Sequence, residues 1–147
     1  MNVKSVIIAG VALFAAGTSQ AAPCDPGQRM SFLQIIGNVT SGSRYTCVGV
    51  SPNASWNEQL SGGTIVDYKL GAGHPTDPTA KVGTYSVGGA NNNSVGGVLT
   101  YSYTGGPSYG YMIDTGTAGG TIGASPFTFC PVGGGANIVV NVQTGPC

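Results

Sequence analysis

Near neutral pH the chain offers acid–base chemistry a single histidine, His74, and a thin scatter of carboxylates. His74 sits in Gly71-Ala-Gly-His-Pro-Thr-Asp-Pro78, a stretch dense in Gly and Pro that reads as an exposed loop. Glu58, Asp67, Asp77 and Asp114 could approach it in a fold, and two facing carboxylates are the machinery of glycoside hydrolysis. No spacing among them fixes such a pair. Gly106-Pro-Ser-Tyr-Gly110 spells the G-x-S-x-G nucleophile elbow, but that device needs a strand-to-helix turn and a downstream histidine. Here tyrosine-rich strand follows Ser108, and His74 lies upstream. Zinc is poorly served, since the four cysteines form no close pairs and one histidine cannot complete the usual sets. Neither a phosphate loop leading into a helix nor a calcium loop of alternating Asp is present. The residues therefore assign no catalytic group, no metal and no cofactor.

Binding chemistry is better represented. Tyr101, Tyr103, Tyr109 and Tyr111 flank Gly105-Gly106-Pro107 in a hairpin pattern. A three-residue loop, Gly105 to Pro107, would set Tyr103 opposite Tyr109 and Tyr101 opposite Tyr111, with all four rings on one face. A one-residue slip would scatter them, because side chains alternate along a strand. The odd loop also gathers Thr100, Ser102, Thr104, Ser108 and Asp114 on the opposite, polar face. Such rings either fill a core or line a groove suited to sugars and flat apolar ligands. Tyr101 and Tyr111, deep in their strands, are expected in the core, with Tyr103 and Tyr109 partly exposed beside the loop. Trp56 is the remaining ring of interest, as a ligand contact or a barrel plug.

The elements that must carry these residues are strands. Gly, Pro and Asn recur at short intervals, with β-rich runs between them at Arg44–Val50, Thr64–Leu70, Val82–Val87, Val98–Thr104, Ser108–Asp114, Pro126–Val132 and Asn137–Val142. Val66, Tyr68 and Leu70 alternate with Asp67 and Lys69. Met30, Leu33 and Ile36 offer one or two amphipathic turns before Gly37. No crossover helices are available for a parallel sheet. The pattern implies an all-β fold, a single small antiparallel barrel or sandwich of about seven to eight short strands.

The N-terminus reads as a signal peptide. Lys4 precedes an apolar run from Val6 to Ala16 that is too short to span a bilayer, and Thr18-Ser-Gln-Ala21 supplies small residues for cleavage after Ala21. Residues 1–21 are then removed, leaving 22–147 as one secreted domain, periplasmic or extracellular, with no transmembrane segment. Cys24, Cys47, Cys130 and Cys147 form an even set appropriate to an exported protein. Their clustering at the two ends favours Cys24–Cys47 and Cys130–Cys147, against a rival clasp joining the first cluster to the last. Charged residues make up 7% of the chain and the net charge is zero, which gives no footprint for nucleic acid.

Several short motifs occur in order: Ser41-Gly-Ser-Arg-Tyr-Thr-Cys47, Trp56-Asn-Glu-Gln59, Asp67-Tyr-Lys69, Asp77-Pro78 and Gly83-Thr-Tyr85. Together they resemble a group of secreted proteobacterial β domains whose pattern runs S-G-x-T-x-C, W-x-E-Q, D-Y-K, D-P and G-T-W/Y. Tyr85 stands where Trp is usual. The resemblance implies a bacterial source and no particular activity.

These readings point to a secreted, non-enzymatic β domain that binds a small or carbohydrate ligand or a partner protein. A structural subunit of an extracellular fibre or matrix is the alternative, since weakly charged strand edges permit self-association. A hydrolase built on acidic residues ranks third.

Overall fold

The computed structural model describes residues 24–49, 56–69, 77–117 and 120–147. Leu70, His74 and residues 1–23, which include the expected signal peptide, lie outside the described residues. Among these, eight strands form a closed barrel in which each is antiparallel to the next and the last pairs with the first. They are β1 (Ser43–Val48), β2 (Trp56–Ser61), β3 (Thr64–Lys69), β4 (Asp77–Gly89), β5 (Gly97–Tyr103), β6 (Ser108–Ile113), β7 (Phe127–Pro131) and β8 (Ile138–Gln143). Closure is made by Thr46 opposite Val142 and Cys47 opposite Asn141. The ladder is continuous round the wall, so the architecture is a barrel and not a sandwich.

Alternation along each strand divides the side chains between interior and exterior. One inward set runs through Thr46–Glu58, Leu60–Ile65, Tyr85–Tyr101, Leu99–Tyr111, Ile113–Phe129 and Phe127–Val140. An eight-stranded barrel is narrow enough for side chains to fill, and here Leu60, Ile65, Leu99, Tyr101, Ile113, Phe129 and Val140 are completely buried. Each such side chain contributes roughly 1.5–3 kcal/mol relative to exposure.

The strand missing from the sequence reading is β2. It carries buried Asn57 and Glu58 where apolar residues would have marked a strand. Its signal is the turn that follows it: Gly62 and Gly63 have φ of +56° and +80°, the pair of positive values that a tight hairpin turn requires and that glycine supplies without a Cβ clash. The pairing of β3 with β4 shifts between Ile65 and Val66 and again between Asp67 and Tyr68, each time passing one extra residue of β4, Val82 and then Thr79.

One end of the barrel is stoppered by the N-terminal segment. Met30 N–H donates to Ile113 O (2.7 Å), Gly97 N–H to Met30 O (2.8 Å) and Phe32 N–H to Ala90 O (2.9 Å), joining the segment to the ends of β4, β5 and β6. Ser31 caps a short helix α1 (Phe32–Ile35), and Gln34 returns its side chain to the Ser31 N–H. This reciprocal cap satisfies two otherwise orphaned donors. A π turn over Ile36–Thr40 leads into β1. The buried stripe is Met30, Ile35 and Val39, whereas Leu33 and Ile36 face outward. The expected Met30-Leu33-Ile36 face is thus corrected: contact with β4 and β5 selects the i, i+4 pair. Gly97 permits this approach, because a Cβ there would lie 2.9 Å from Phe32 backbone and Ile35 Cδ1.

The disulfides are Cys24–Cys130 and Cys47–Cys147, with Cα separations of 6.4 and 5.8 Å. The favoured local pairing, Cys24–Cys47 and Cys130–Cys147, is therefore wrong. Closure of β1 on β8 carries the C-terminal tail back to Cys47, and the plug delivers Cys24 to β7. Both bridges join the first cluster to the last. They point to an oxidising, extracytoplasmic environment.

Candidate functional site

The opposite end has no plug among the described residues, and there the tyrosine hairpin reaches the rim. The chain reverses over Thr104–Gly106, one position earlier than expected, so that Tyr101 faces Tyr109 and Leu99 faces Tyr111. The register is displaced by two residues, which is one full side-chain period, and the rings keep their common face. Ser102 and Ser108 pair on the outer face, with Ser108 Oγ donating to Ser102 Oγ at 3.0 Å.

The four rings form a graded wall. Tyr101 is completely buried, Tyr111 is buried, Tyr103 is half-buried, and Tyr109 is 47% exposed. Tyr101 lies edge-on to Tyr111 with centroids 6.0 Å apart and stacks near Tyr103 at 6.4 Å. Tyr103 in turn meets Tyr109 edge-on at 6.1 Å. The core depth expected for Tyr101 and Tyr111 and the rim exposure expected for Tyr103 and Tyr109 both match these positions.

Against this wall stands a group that the tyrosine pattern did not reveal. Glu58, 8% exposed, accepts a hydrogen bond from Tyr103 Oη at 2.5 Å. That length is typical of a hydroxyl donating to a carboxylate. Tyr101 Oη makes a long contact to Thr46 Oγ1 (3.5 Å), and Thr46 Oγ1 leans toward the Glu58 backbone carbonyl (3.4 Å). Burial first, and then the Glu58 hydrogen bond and charge, push the Tyr103 phenol well above its ordinary range. Burial does the same for Tyr101, with the Thr46 contact opposing and Glu58 adding. Tyr111 is raised by burial, then by Tyr109 and Glu58. The phenols are therefore neutral donors or acceptors at physiological pH and not proton-transfer bases.

The other candidates are separated. Asp114 belongs to the plugged end, accepting from Cys24 N–H (2.8 Å) and Gly116 N–H (2.6 Å). Its role is to fasten the plug. Asp67 holds the register position opposite Glu58, and Trp56 the position opposite Val48 at the rim end of β2. Asp77 starts β4 opposite Lys69. Among the described residues no group of His, Cys, Asp and Glu is arranged to hold a metal ion, and no helix is long and apolar enough to cross a membrane.

No family model, curated protein or solved structure matches this chain. The site is read from its own geometry.

Proposed function

We propose that the protein is a secreted, non-enzymatic barrel that holds a small ligand of carbohydrate type at the end opposite its plug. The observation that carries this reading is the graded wall of Tyr101, Tyr111, Tyr103 and Tyr109, which rises from core to rim beside Glu58. Glu58 places a carboxylate beside these aromatic faces, where it accepts the Tyr103 hydroxyl. Aromatic faces combined with a few placed polar atoms are the usual furnishing of a small-molecule site. The two disulfides support export. The fibre alternative loses its simplest physical route, because the closed barrel leaves no unpaired strand edge among the described residues for another copy to extend.

Two measurements test the reading. Intact mass of the exported protein should correspond to a chain beginning at Ala22, and retention of residues 1–21 would remove the basis for secretion. Heteronuclear NMR during titration with neutral monosaccharides and with indole should shift Tyr103, Tyr109 and Glu58 while leaving Leu33 at the plugged end unmoved. Shifts confined to the outward-facing Val132 and Val139, growing with protein concentration, would instead establish self-association.

A further inference from the structure

The two disulfides stand in different surroundings. Cys24 and Cys130 are both buried, and the Cys24 N–H donates to Asp114 Oδ2 at 2.8 Å. Cys47 is buried as well, but its partner Cys147 is partly exposed. Thr144 and Pro146 of the same tail are exposed, and Gln143 Nε2 donates to Gly145 O (3.0 Å) and Pro146 O (2.7 Å) within the turn itself. Thr46 and Glu58 meet the tyrosines inside the barrel, so their neighbours Cys47 and Asn57 take the outer face of the wall. Cys47 and Asn57 are in direct register, which sets their Cβ atoms about 4.5–5.5 Å apart. Asn57 is only 5% exposed, and neither its Nδ2 nor its Oδ1 has a hydrogen-bond partner among the described residues. An orphaned buried amide costs free energy. A thiolate at Cys47 would give this one an acceptor.

We propose that the Cys47–Cys147 bridge is a thiol-exchange site: the thiolate of a small thiol attacks Cys147 Sγ, and Cys47 leaves as a thiolate that accepts from the Asn57 amide. The attacking sulfur forms a new S–S bond to Cys147 while the bond to Cys47 breaks, its electron pair staying on Cys47 Sγ. One disulfide replaces another, so the step needs no reactant beyond the thiolate itself. Such exchange speeds up with access to the attacked sulfur and with the stability of the leaving thiolate. A hydrogen-bond donor stabilises the charged form of an acid. Both conditions meet here, with exposure on the side attacked and an unused donor on the side that leaves. Neither cysteine of Cys24–Cys130 is accessible, so that bridge stays closed while the barrel is folded. The protein thus carries one structural bridge, which pins the plug, and one exchangeable bridge, through which Cys147 is joined to a small thiol. The site lies on the outer wall and is independent of ligand binding at the tyrosine end.

The test treats the exported, disulfide-bonded protein with excess reduced glutathione at mildly alkaline pH without denaturant. Samples are quenched over time, alkylated and mapped by peptide mass. The first product should carry glutathione on Cys147 and a free thiol at Cys47, and this bridge should open at least about tenfold faster than Cys24–Cys130. Asn57→Val removes the donor and should slow the opening by about fivefold or more, whereas Asn57→Thr, which has the shape of Val but keeps a hydroxyl donor, should slow it less. Circular dichroism and a closed Cys24–Cys130 bridge report that each variant is folded. Opening of both bridges at one rate would mean that exchange follows global unfolding, and would overturn the proposal. Glutathione on Cys47 in place of Cys147 would overturn it too. Equal rates for folded Asn57→Val, folded Asn57→Thr and the unaltered protein would remove Asn57 from the site and overturn the proposal in that form. If a variant does not fold, the rate ratio and the position of glutathione in the unaltered protein still decide.

Discussion

Truncating Tyr101 to alanine removes the ring on which the inner wall is built. Tyr101 is completely buried, with Tyr111 and Tyr103 ring centroids 6.0 and 6.4 Å away. Loss of a packed buried aromatic costs about 3–5 kcal/mol, and the cost is larger where neighbours cannot collapse into the void. Here the wall is a closed ladder, one end is stoppered, and the bridges tie the plug to β7 and the C-terminal tail to β1. The upper part of that range is therefore expected, equivalent to a fall in melting temperature of roughly 10–20 °C for a domain of this size. Tyr109→Ala, by contrast, removes a ring that is 47% exposed, and about 1 kcal/mol or less is expected, as for most surface changes. Tyr111→Ala should resemble Tyr101→Ala, and Tyr103→Ala should fall between. Urea unfolding of the four variants with disulfides intact measures the series. Equal losses at Tyr101 and Tyr109, or a loss below about 1 kcal/mol at Tyr101, would refute the core-to-rim gradient.

Peptide mapping without reduction should recover Cys24–Cys130 and Cys47–Cys147; replacing either pair with Ser should cost up to about 5 kcal/mol in the chain-entropy model, because the closed loops span sequence separations of 106 and 100. Asn57 is buried with neither side-chain polar atom hydrogen-bonded, so Asn57→Val, which suits a strand, should leave stability unchanged or raise it by about 1–3 kcal/mol in the same urea assay; a marked loss would reveal a partner for the amide. Tyr101, Tyr103 and Tyr111 all have phenol pKa values raised in the fold. The unfolded chain then releases these protons first, so their contribution is complete below pH about 10 and is lost as pH rises beyond it. Absorbance at alkaline pH should show these three ionising together with unfolding, and early ionisation within an intact barrel would contradict their burial.

What the sequence by itself determined was local. Gly- and Asn-punctuated β runs specified strands, and the even cysteine set specified two bridges. The parity of the tyrosine hairpin specified one face, and survived a register displacement of two because that is the strand's own period. The tertiary structure decided whatever depends on which distant residues meet. Disulfide pairing followed from closure of β1 on β8, which no spacing along the chain encodes. The buried face of the N-terminal turns followed from where β4 and β5 received them, not from their own apolar periodicity. Glu58 lies in a polar strand with little hydrophobic alternation, and only its register with Thr46 turns it inward, where Tyr103 meets it. Hydrophobic pattern reports which residues avoid water. It cannot report which polar residue a closed barrel will carry inside with them, because that choice is made by ladder register across strands far apart in sequence.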